Sequence, residues 1–112
     1  MSSLELLNFE QSIEIIKILL EEKKSLELTF KGSSMLPTIK PGARLIINKS
    51  NNLIVGKIYV YIDRDLDSFS KMVCHRLYEI NKYQYYFKGD NRNIIDNSVG
   101  VKDIIGEVVS WN

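Results

Sequence analysis

Apolar residues near the start of the chain recur with the period of an α-helix. They are spaced at steps of four, three and four along one face: Phe9, Ile13, Ile16 and Leu20. Asn8 and Gln11 have the spacing of a capping box, in which each side chain bonds the other residue's backbone N–H. The pattern predicts an amphipathic helix within residues 1–24, ending near the charged residues at 21–24.

Three further apolar residues flank this face, and we expect them to widen it: Ile15, Ile18 and Leu19. Because helices in proteins are stabilised mainly by burying an apolar face, we expect this face to pack on the protein's own sheet. Docking on a membrane surface or a partner protein is the alternative. The run at 12–20 is interrupted by Glu14 and Lys17 and is far shorter than the ~20 residues that span a bilayer. No transmembrane segment is predicted.

From Ser25 the apolar period changes to two, which is typical of β-strands, and the first such segment leads through Leu26, Leu28 and Phe30. Similar segments follow at 44–48, 57–62, 72–80, 83–87 and 103–111. Asn81 and Lys82 mark a hairpin turn, and the polar segment 63–70 reads as a loop. A helix followed only by strands predicts a mainly β (β-rich α+β) fold, with one N-terminal helix and a bent, mostly antiparallel sheet.

Length and composition narrow the class of protein. With 112 residues, 45% hydrophobic and 26% charged, the chain suits one domain over 1–112, divided into a helix at 1–24 and a β-rich core at 25–112. A formal charge of +1 argues against a nucleic-acid partner. The single cysteine, Cys74, cannot form an internal disulfide, and no secretory signal pattern opens the chain. We expect a soluble cytoplasmic protein, at most peripheral to a membrane.

Candidate chemistry lies in three separate segments, which supply Ser34, His75 and Asp96. A hydroxyl is a weak nucleophile unless a base takes its proton, and an imidazole serves well as that base only if a third group orients its ring. These residues are too far apart in sequence for a local motif, so only folding can bring them together. His75 is the only histidine, which excludes a multi-histidine metal site, and no cofactor is predicted.

The segments around these residues match motifs of one superfamily. Ser34, Met35 and Pro37 fit the "serine, methionine, any, proline" box of the signal peptidases and SOS-repressor proteases, in which the serine is the nucleophile. His75 and Arg76 resemble the His, Arg pair of the endoplasmic-reticulum and archaeal signal peptidases. The stretch 88–96 resembles their Lys, Gly, Asp, Asn box, with a second aspartate six residues after the first. The chain thus resembles the histidine branch of this superfamily, over roughly 26–111.

The resemblance implies a serine endopeptidase with a signal-peptidase-like sheet. Ser34 would be the nucleophile, His75 the base and Asp96 the acid that orients His75. Asp90 competes for the orienting role, but in a Gly, Asp, Asn turn we expect it to tie its own loop through side-chain to backbone bonds. Either aspartate could also hold Arg76. Lys71, the lysine nearest to His75 in sequence, is the rival base.

The oxyanion hole is expected to differ from that of many relatives. Gly32 stands where many members have a hydroxyl residue two before the nucleophile, so backbone amides around Ser33 and Ser34 would have to hold the oxyanion. The repressor proteases share this glycine but use a lysine base. The chain therefore combines features of both branches.

The expected substrate is a precursor, leader or signal-type peptide that binds in extended form at a sheet edge. One alternative is a regulatory self-cleaving protease like the SOS repressors. Those cut an Ala-Gly or Cys-Gly bond ahead of the serine, whereas the only alanine here, Ala43, follows it. The other is a non-catalytic peptide- or protein-binding module that docks through its N-terminal helix.

Overall fold

One helix and one antiparallel sheet make up the architecture. The computed structural model describes residues 8–64 and 70–112. Its elements, in chain order, are α1 Phe9–Lys23, β1 Ser25–Thr29, β2 Arg44–Asn48, β3 Ile58–Asp63, β4 Lys71–Asn81, β5 Gln84–Lys88 and β6 Ile104–Trp111. The order across the sheet is β1-β2-β6-β3-β4-β5, with every neighbouring pair antiparallel. The predicted β-rich α+β fold is confirmed.

Local signals at both ends fix helix α1. Gln11 N donates to Asn8 Oδ1 at 2.8 Å and Asn8 N donates to Gln11 Oε1 at 2.9 Å, so the predicted capping box forms. At the other end Lys24 adopts a left-handed conformation, with φ 66°, and its N–H donates to the Leu20 carbonyl. The helix is confirmed over 9–23, and residues 1–7 of the predicted span lie outside the described residues.

The helix packs its predicted face on the sheet. Ile13 and Leu20 are buried, and Phe9 and Ile16 are half-buried against the same apolar core. The prediction that three flanking residues widen this face is wrong for two of them, since Ile15 and Ile18 are 43% and 53% exposed. The third, Leu19, is half-buried. Each exposed isoleucine lies two positions after a residue of the packed face, and a step of two turns a side chain by about 200° to the other side of a helix. Across the described ranges, no helix has the length and apolar character needed to cross a membrane.

The sheet is buried on both sides at β3. Ile58, Val60 and Ile62 enter the larger core beneath α1, while Tyr59 and Tyr61 enter a second core on the opposite face. Alternate strand side chains point to opposite faces, so one strand serves both cores. The other buried members of the second core are Leu77, Phe87 and Val99. Asp63 ends β3 instead of opening the predicted loop, and residues 65–69 of that loop lie outside the described residues.

Two strand edges stay unpaired within the described part of the chain. β1 pairs only with β2, and the first half of β4, from Lys71 to His75, pairs only with β3, because β5 begins its pairing opposite Arg76. Residues of both edges line one groove of about 530 Å³. The sheet therefore curls so that the edge of β1 faces the free edge of β4.

A close approach between strands accompanies register shifts along β6. Its pairing with β2 shifts between Ile46 and Ile47, and its pairing with β3 shifts between Val60 and Tyr61. Such irregularities bend a sheet. Gly106 lies next to the second shift, where a Cβ atom would stand 2.6 Å from the Asn48 carbonyl oxygen. Only glycine fits there without moving a backbone.

We predict that Gly106→Ala lowers the free energy of unfolding by about 1–3 kcal/mol, since the added methyl group overpacks against a backbone. Gly100→Ala is the matched control, because a Cβ atom at that exposed glycine meets no atom within 4 Å. It should change stability by less than about 0.5 kcal/mol. Urea unfolding of both variants measures the difference. Equal stability of the two would show that the β2-β6 contact is looser than described.

Candidate active site

Ser34 lies in a tight turn that is anchored by its neighbours. The chain leaves β1 and turns over residues 33–39, with Met35 and Ile39 completely buried in the larger core. Ile39 N donates to the Met35 carbonyl at 2.9 Å, and the Leu36–Pro37 peptide bond is cis. Because the residue after Ser34 is fixed in the core, the Ser34 side chain is held at the end of the groove, with 8% of the residue exposed.

His75 faces this hydroxyl from β4. Its Nε2 lies 2.9 Å from Ser34 Oγ, and the residue is 7% exposed. It occupies the last position of β4 before the β5 pairing begins. In the tautomer that carries its proton on Nδ1, Nε2 can accept a hydrogen bond from the Ser34 hydroxyl.

Asp96 lies on the other side of the imidazole. Its Oδ2 is 2.5 Å from His75 Nδ1, which donates to it. After β5 the chain returns alongside that strand: Asp96 N donates to the Phe87 carbonyl at 2.8 Å, and Val99 forms a bridge with Tyr85. This return fixes the backbone that carries the carboxylate. The sequence-predicted Ser34, His75 and Asp96 therefore lie together in one hydrogen-bonded chain.

Burial tends to raise the pKa of the Asp96 carboxyl, but hydrogen bonds from His75 and Tyr61 outweigh it, so the pKa lies below its usual value. Asp96 is accordingly a carboxylate at neutral pH, and it can balance a positive charge on His75.

Asp90, the competing carboxylate, binds a different set of residues. It accepts two hydrogen bonds from the Arg76 guanidinium, at 2.9 and 2.8 Å, and one from Thr38 Oγ1 at 2.6 Å. The prediction that an aspartate holds Arg76 is confirmed for Asp90, whereas the prediction that Asp90 bonds the backbone of its own loop is wrong. Its carboxylate instead joins the Ser34 turn to β4. The Arg76 guanidinium is the main reason that the pKa of Asp90 is lowered.

A comparison with protein families adds a separate line of support. The sequence model described as Peptidase S24-like matches residues 1–109, almost the whole chain. The chain belongs to this family. At the family level it is a serine peptidase, with a fold shared by peptidases and self-cleaving regulatory proteases. A comparison with curated proteins gave no match.

Gly89 allows the parts of this S24-like site to approach each other. A Cβ atom here would lie 2.7 Å from the Ser34 carbonyl oxygen and 3.0 Å from His75 Nε2. The next residues secure the same contact, since Asn91 N donates to the Ser34 carbonyl at 2.7 Å and Asn91 Nδ2 donates to the Ser33 carbonyl at 3.2 Å. In the sequence, Gly89 was identified only as a member of the Lys, Gly, Asp, Asn motif. A glycine within a charged and polar turn is, however, a signal that two backbone segments approach each other closely.

Of the residues proposed to support an oxyanion, Gly32 lies at the groove beside Ser34, and their role as oxyanion support stays a prediction. Gly32 lines the groove, and a Cβ atom there would make only ordinary contacts with the Phe30 ring, at 3.5 and 3.7 Å. Packing therefore does not require the glycine. The amide N–H groups of Ser33 and Ser34 donate to no residue of the described ranges. Neither amide is therefore committed to an acceptor within those ranges.

Tyr61 is a polar contact of the site that sequence reasoning missed. Its hydroxyl donates to Asp96 Oδ2 at 2.6 Å and lies 3.4 Å from His75 Nδ1. Burial is the main cause of a strongly raised pKa for this phenol, so it stays a neutral donor. No sequence signal distinguished it, because tyrosine is an ordinary strand residue.

The rival chemical groups lie apart from this chain of bonds. Burial raises the pKa of the Cys74 thiol to about 12, and this side chain points into the larger core, as expected for a structural cysteine. Lys71 is an exposed residue at the start of β4 that lines the groove, whereas the nitrogen bonded to Ser34 belongs to His75. Within the described ranges, no group of acidic, histidine and cysteine side chains could hold a metal ion.

We predict that Asp90→Asn lowers the free energy of unfolding at neutral pH by about 1.5–3 kcal/mol, the usual value of hydrogen bonds to a charged group. Folding lowers the pKa of the Asp90 carboxyl from its ordinary value of 3.8, so the carboxylate stabilises the folded protein at pH values above 3.8. This contribution is lost as the pH falls from 3.8 through the lower pKa of the folded state. The gap between wild type and Asp90→Asn should therefore close at acid pH. Denaturant unfolding at several pH values measures it.

Glu79→Gln, at an exposed position of β4, is the control and should leave stability nearly unchanged. A gap for Asp90→Asn that is constant with pH would show that the Arg76 ion pair contributes nothing.

Proposed function

We propose that the protein is a serine endopeptidase of the histidine branch, in which Ser34 attacks the peptide carbonyl, His75 transfers the proton and Asp96 orients His75. The observation that carries this proposal is the continuous chain of bonds from Ser34 Oγ through both nitrogens of His75 to Asp96, at the end of an open groove. The family match supports a serine peptidase, and the choice of base rests on this geometry.

In the proposed reaction, His75 first accepts a proton from Ser34 and later donates it to the leaving group. As Ser34 Oγ bonds to the scissile carbonyl carbon, its proton passes to His75 Nε2. The carbonyl oxygen becomes an oxyanion, for which the amides of Ser33 and Ser34 are the proposed donors. When the C–N bond breaks, His75 returns the proton to the departing amine. Water then releases the acyl group from Ser34 by the same steps, and Asp96 stays ionised throughout.

The groove favours an extended peptide as the substrate. It runs between the unpaired edges of β1 and β4, whose free N–H and C=O groups can pair with another strand. Such pairing holds a backbone without selecting its sequence, so side-chain selection falls to the groove walls. We infer a precursor, leader or signal-type peptide, and the resemblance to signal peptidases implies small residues before the cut.

Self-cleavage is the second candidate, because the S24-like family also suits self-cleaving regulatory proteases. A self-cleaving protein would convert into two fragments at a rate independent of its concentration. Incubation of the purified chain, followed by intact-mass measurement, distinguishes this activity from cleavage of an added peptide.

We predict that the purified protein cleaves members of a mixed peptide library, with cuts after small side chains. Ser34→Ala should reduce the rate by at least about 10³-fold, since the nucleophile is lost. Mass spectrometry of the released fragments measures both cut site and rate. Ser33→Ala is the matched control and should stay active, because it keeps the backbone amide of residue 33 and removes only an exposed hydroxyl that does not contact His75.

Cleavage by Ser34→Ala at the wild-type rate would exclude Ser34 as the nucleophile. If the wild type cleaves neither the library nor itself, the binding-module alternative is favoured.

We also predict different effects for the two carboxylates. Asp96→Asn should lower kcat by roughly 10³–10⁴-fold, since an amide cannot hold the imidazole in the required tautomer or balance its charge. Asp90→Asn should lose much less activity, because Asp90 contacts Arg76 and Thr38 and not His75. Steady-state kinetics under conditions where both variants are folded measures this. The reverse order of effects would assign the orienting role to Asp90.

A further inference from the structure

Three polar atoms lie within hydrogen-bonding distance of one another on the side of His75 that faces away from Ser34: His75 Nδ1, Asp96 Oδ2 and Tyr61 Oη. Asp96 Oδ2 accepts a hydrogen bond from His75 Nδ1 at 2.5 Å and a second one from Tyr61 Oη at 2.6 Å. The two donors are themselves 3.4 Å apart. The same carboxylate oxygen is therefore shared between the imidazole and the phenol, so its position depends on both.

The Tyr61 side chain is held in place by burial and by ring stacking. Tyr61 is 2% exposed, and its ring stacks on Phe87 with centroids 4.3 Å apart and an angle of 22° between the planes. Phe87 also fixes the backbone of Asp96, whose N–H donates to its carbonyl. Phe87 and Tyr61 thus hold the acid from two directions, by its backbone and by its carboxylate.

The second tyrosine of β3 has a different role. Tyr59 is also buried, lies on the same face of the strand and packs edge-on against Phe87. Its hydroxyl, however, accepts from Ile54 N at 2.8 Å and lies 3.5 Å from the Asn52 carbonyl, in the turn before β3. The two tyrosines share burial and ring packing but differ in what their hydroxyl groups bind.

We propose that Tyr61 is a positioning residue for the proposed peptidase reaction: its hydroxyl holds Asp96 Oδ2 in line with His75 Nδ1. This inference rests on the proposed function for its kinetic consequences, but not for the geometry it describes. The hydroxyl restricts rotation of the carboxylate and takes part of its charge. Without it, Asp96 would be less well aligned, while more of its charge would be available to a protonated His75.

Tyr61→Phe keeps the ring and removes only the hydroxyl, and we expect it to have two separate kinetic effects. Poorer alignment should lower kcat about tenfold with little change in KM, because the hydrogen bond to be lost joins a charged group. The freed charge should stabilise protonated His75, so the acid limb of the pH–rate profile should move to higher pH. Loss of folded protein alone would lower the rate without moving that limb.

The other charged groups near this site remain unchanged by the substitution. Arg92 is close enough for its charge to lower the pKa of Asp96, and Asp63 and Lys71 line the groove. Asp90 and Arg76 neutralise each other on the opposite face of β4. A difference between Tyr61→Phe and wild type therefore reports the missing hydroxyl.

The test compares Tyr61→Phe with Tyr59→Phe by peptide kinetics over pH and by NMR of the imidazole. Because His75 is the only histidine, its Nδ1–H resonance needs no assignment among several. We expect Tyr61→Phe to shift this resonance, lower kcat about tenfold and move the acid limb. Tyr59→Phe should leave all three nearly unchanged. In the Asp96→Asn background, Tyr61→Phe should add little further loss, since the partner of the hydroxyl has already been altered.

Equal resonances and equal kinetics for the two phenylalanine variants would overturn the proposal, as would full additivity with Asp96→Asn. If wild type cleaves no peptide, the proposed function fails, and the resonance alone decides: a shift specific to Tyr61→Phe supports the positioning of Asp96, and its absence overturns it.

Discussion

The site depends on the close approach of three backbone segments at Gly89. The Ser34 turn, β4 and the turn after β5 meet where a single Cβ atom would overlap the Ser34 carbonyl oxygen and crowd His75 Nε2. The Ser34 carbonyl accepts a hydrogen bond from the Asn91 N–H, while the Ser34 hydroxyl bonds the His75 imidazole. Because the Gly89 backbone lies directly against the Ser34 carbonyl and the His75 ring, small changes in the packing of these segments would alter the hydrogen bond between Ser34 and His75.

Two carboxylates stabilise this meeting point from opposite sides of the sheet. Arg76 and His75 are consecutive on β4 and therefore point to opposite faces. Asp90 holds Arg76 together with Thr38, while Asp96 holds His75 together with Tyr61. The first pair joins the turn to the strand, and the second orients the imidazole. Strand β4 is thereby fixed on both faces at the position where its pairing with β5 ends.

Local sequence patterns predicted the elements well, because each has its own signal: the Asn8 and Gln11 capping box for α1 and alternation for the strands. Motif resemblance selected the residues Ser34, His75 and Asp96, which lie together. Contacts set by tertiary packing were missed. Nothing in the sequence distinguishes Tyr61 from Tyr59, since the partner of each hydroxyl depends on how distant loops return. The exposure of Ile15 and Ile18 has a different cause, because it follows from local helix geometry: both lie two positions after a residue of the packed face and so turn to solvent.

Activation of the Ser34 hydroxyl by His75 is the step on which the proposed peptidase activity depends, and covalent labelling tests it without knowledge of the substrate. A fluorophosphonate reacts with an activated serine, and intact-mass measurement with peptide mapping locates the adduct. We predict one adduct, on Ser34, formed at least about 10²-fold more slowly in His75→Ala. Folded wild-type protein that forms no adduct, or an adduct on Ser34 at the same rate without His75, would contradict it.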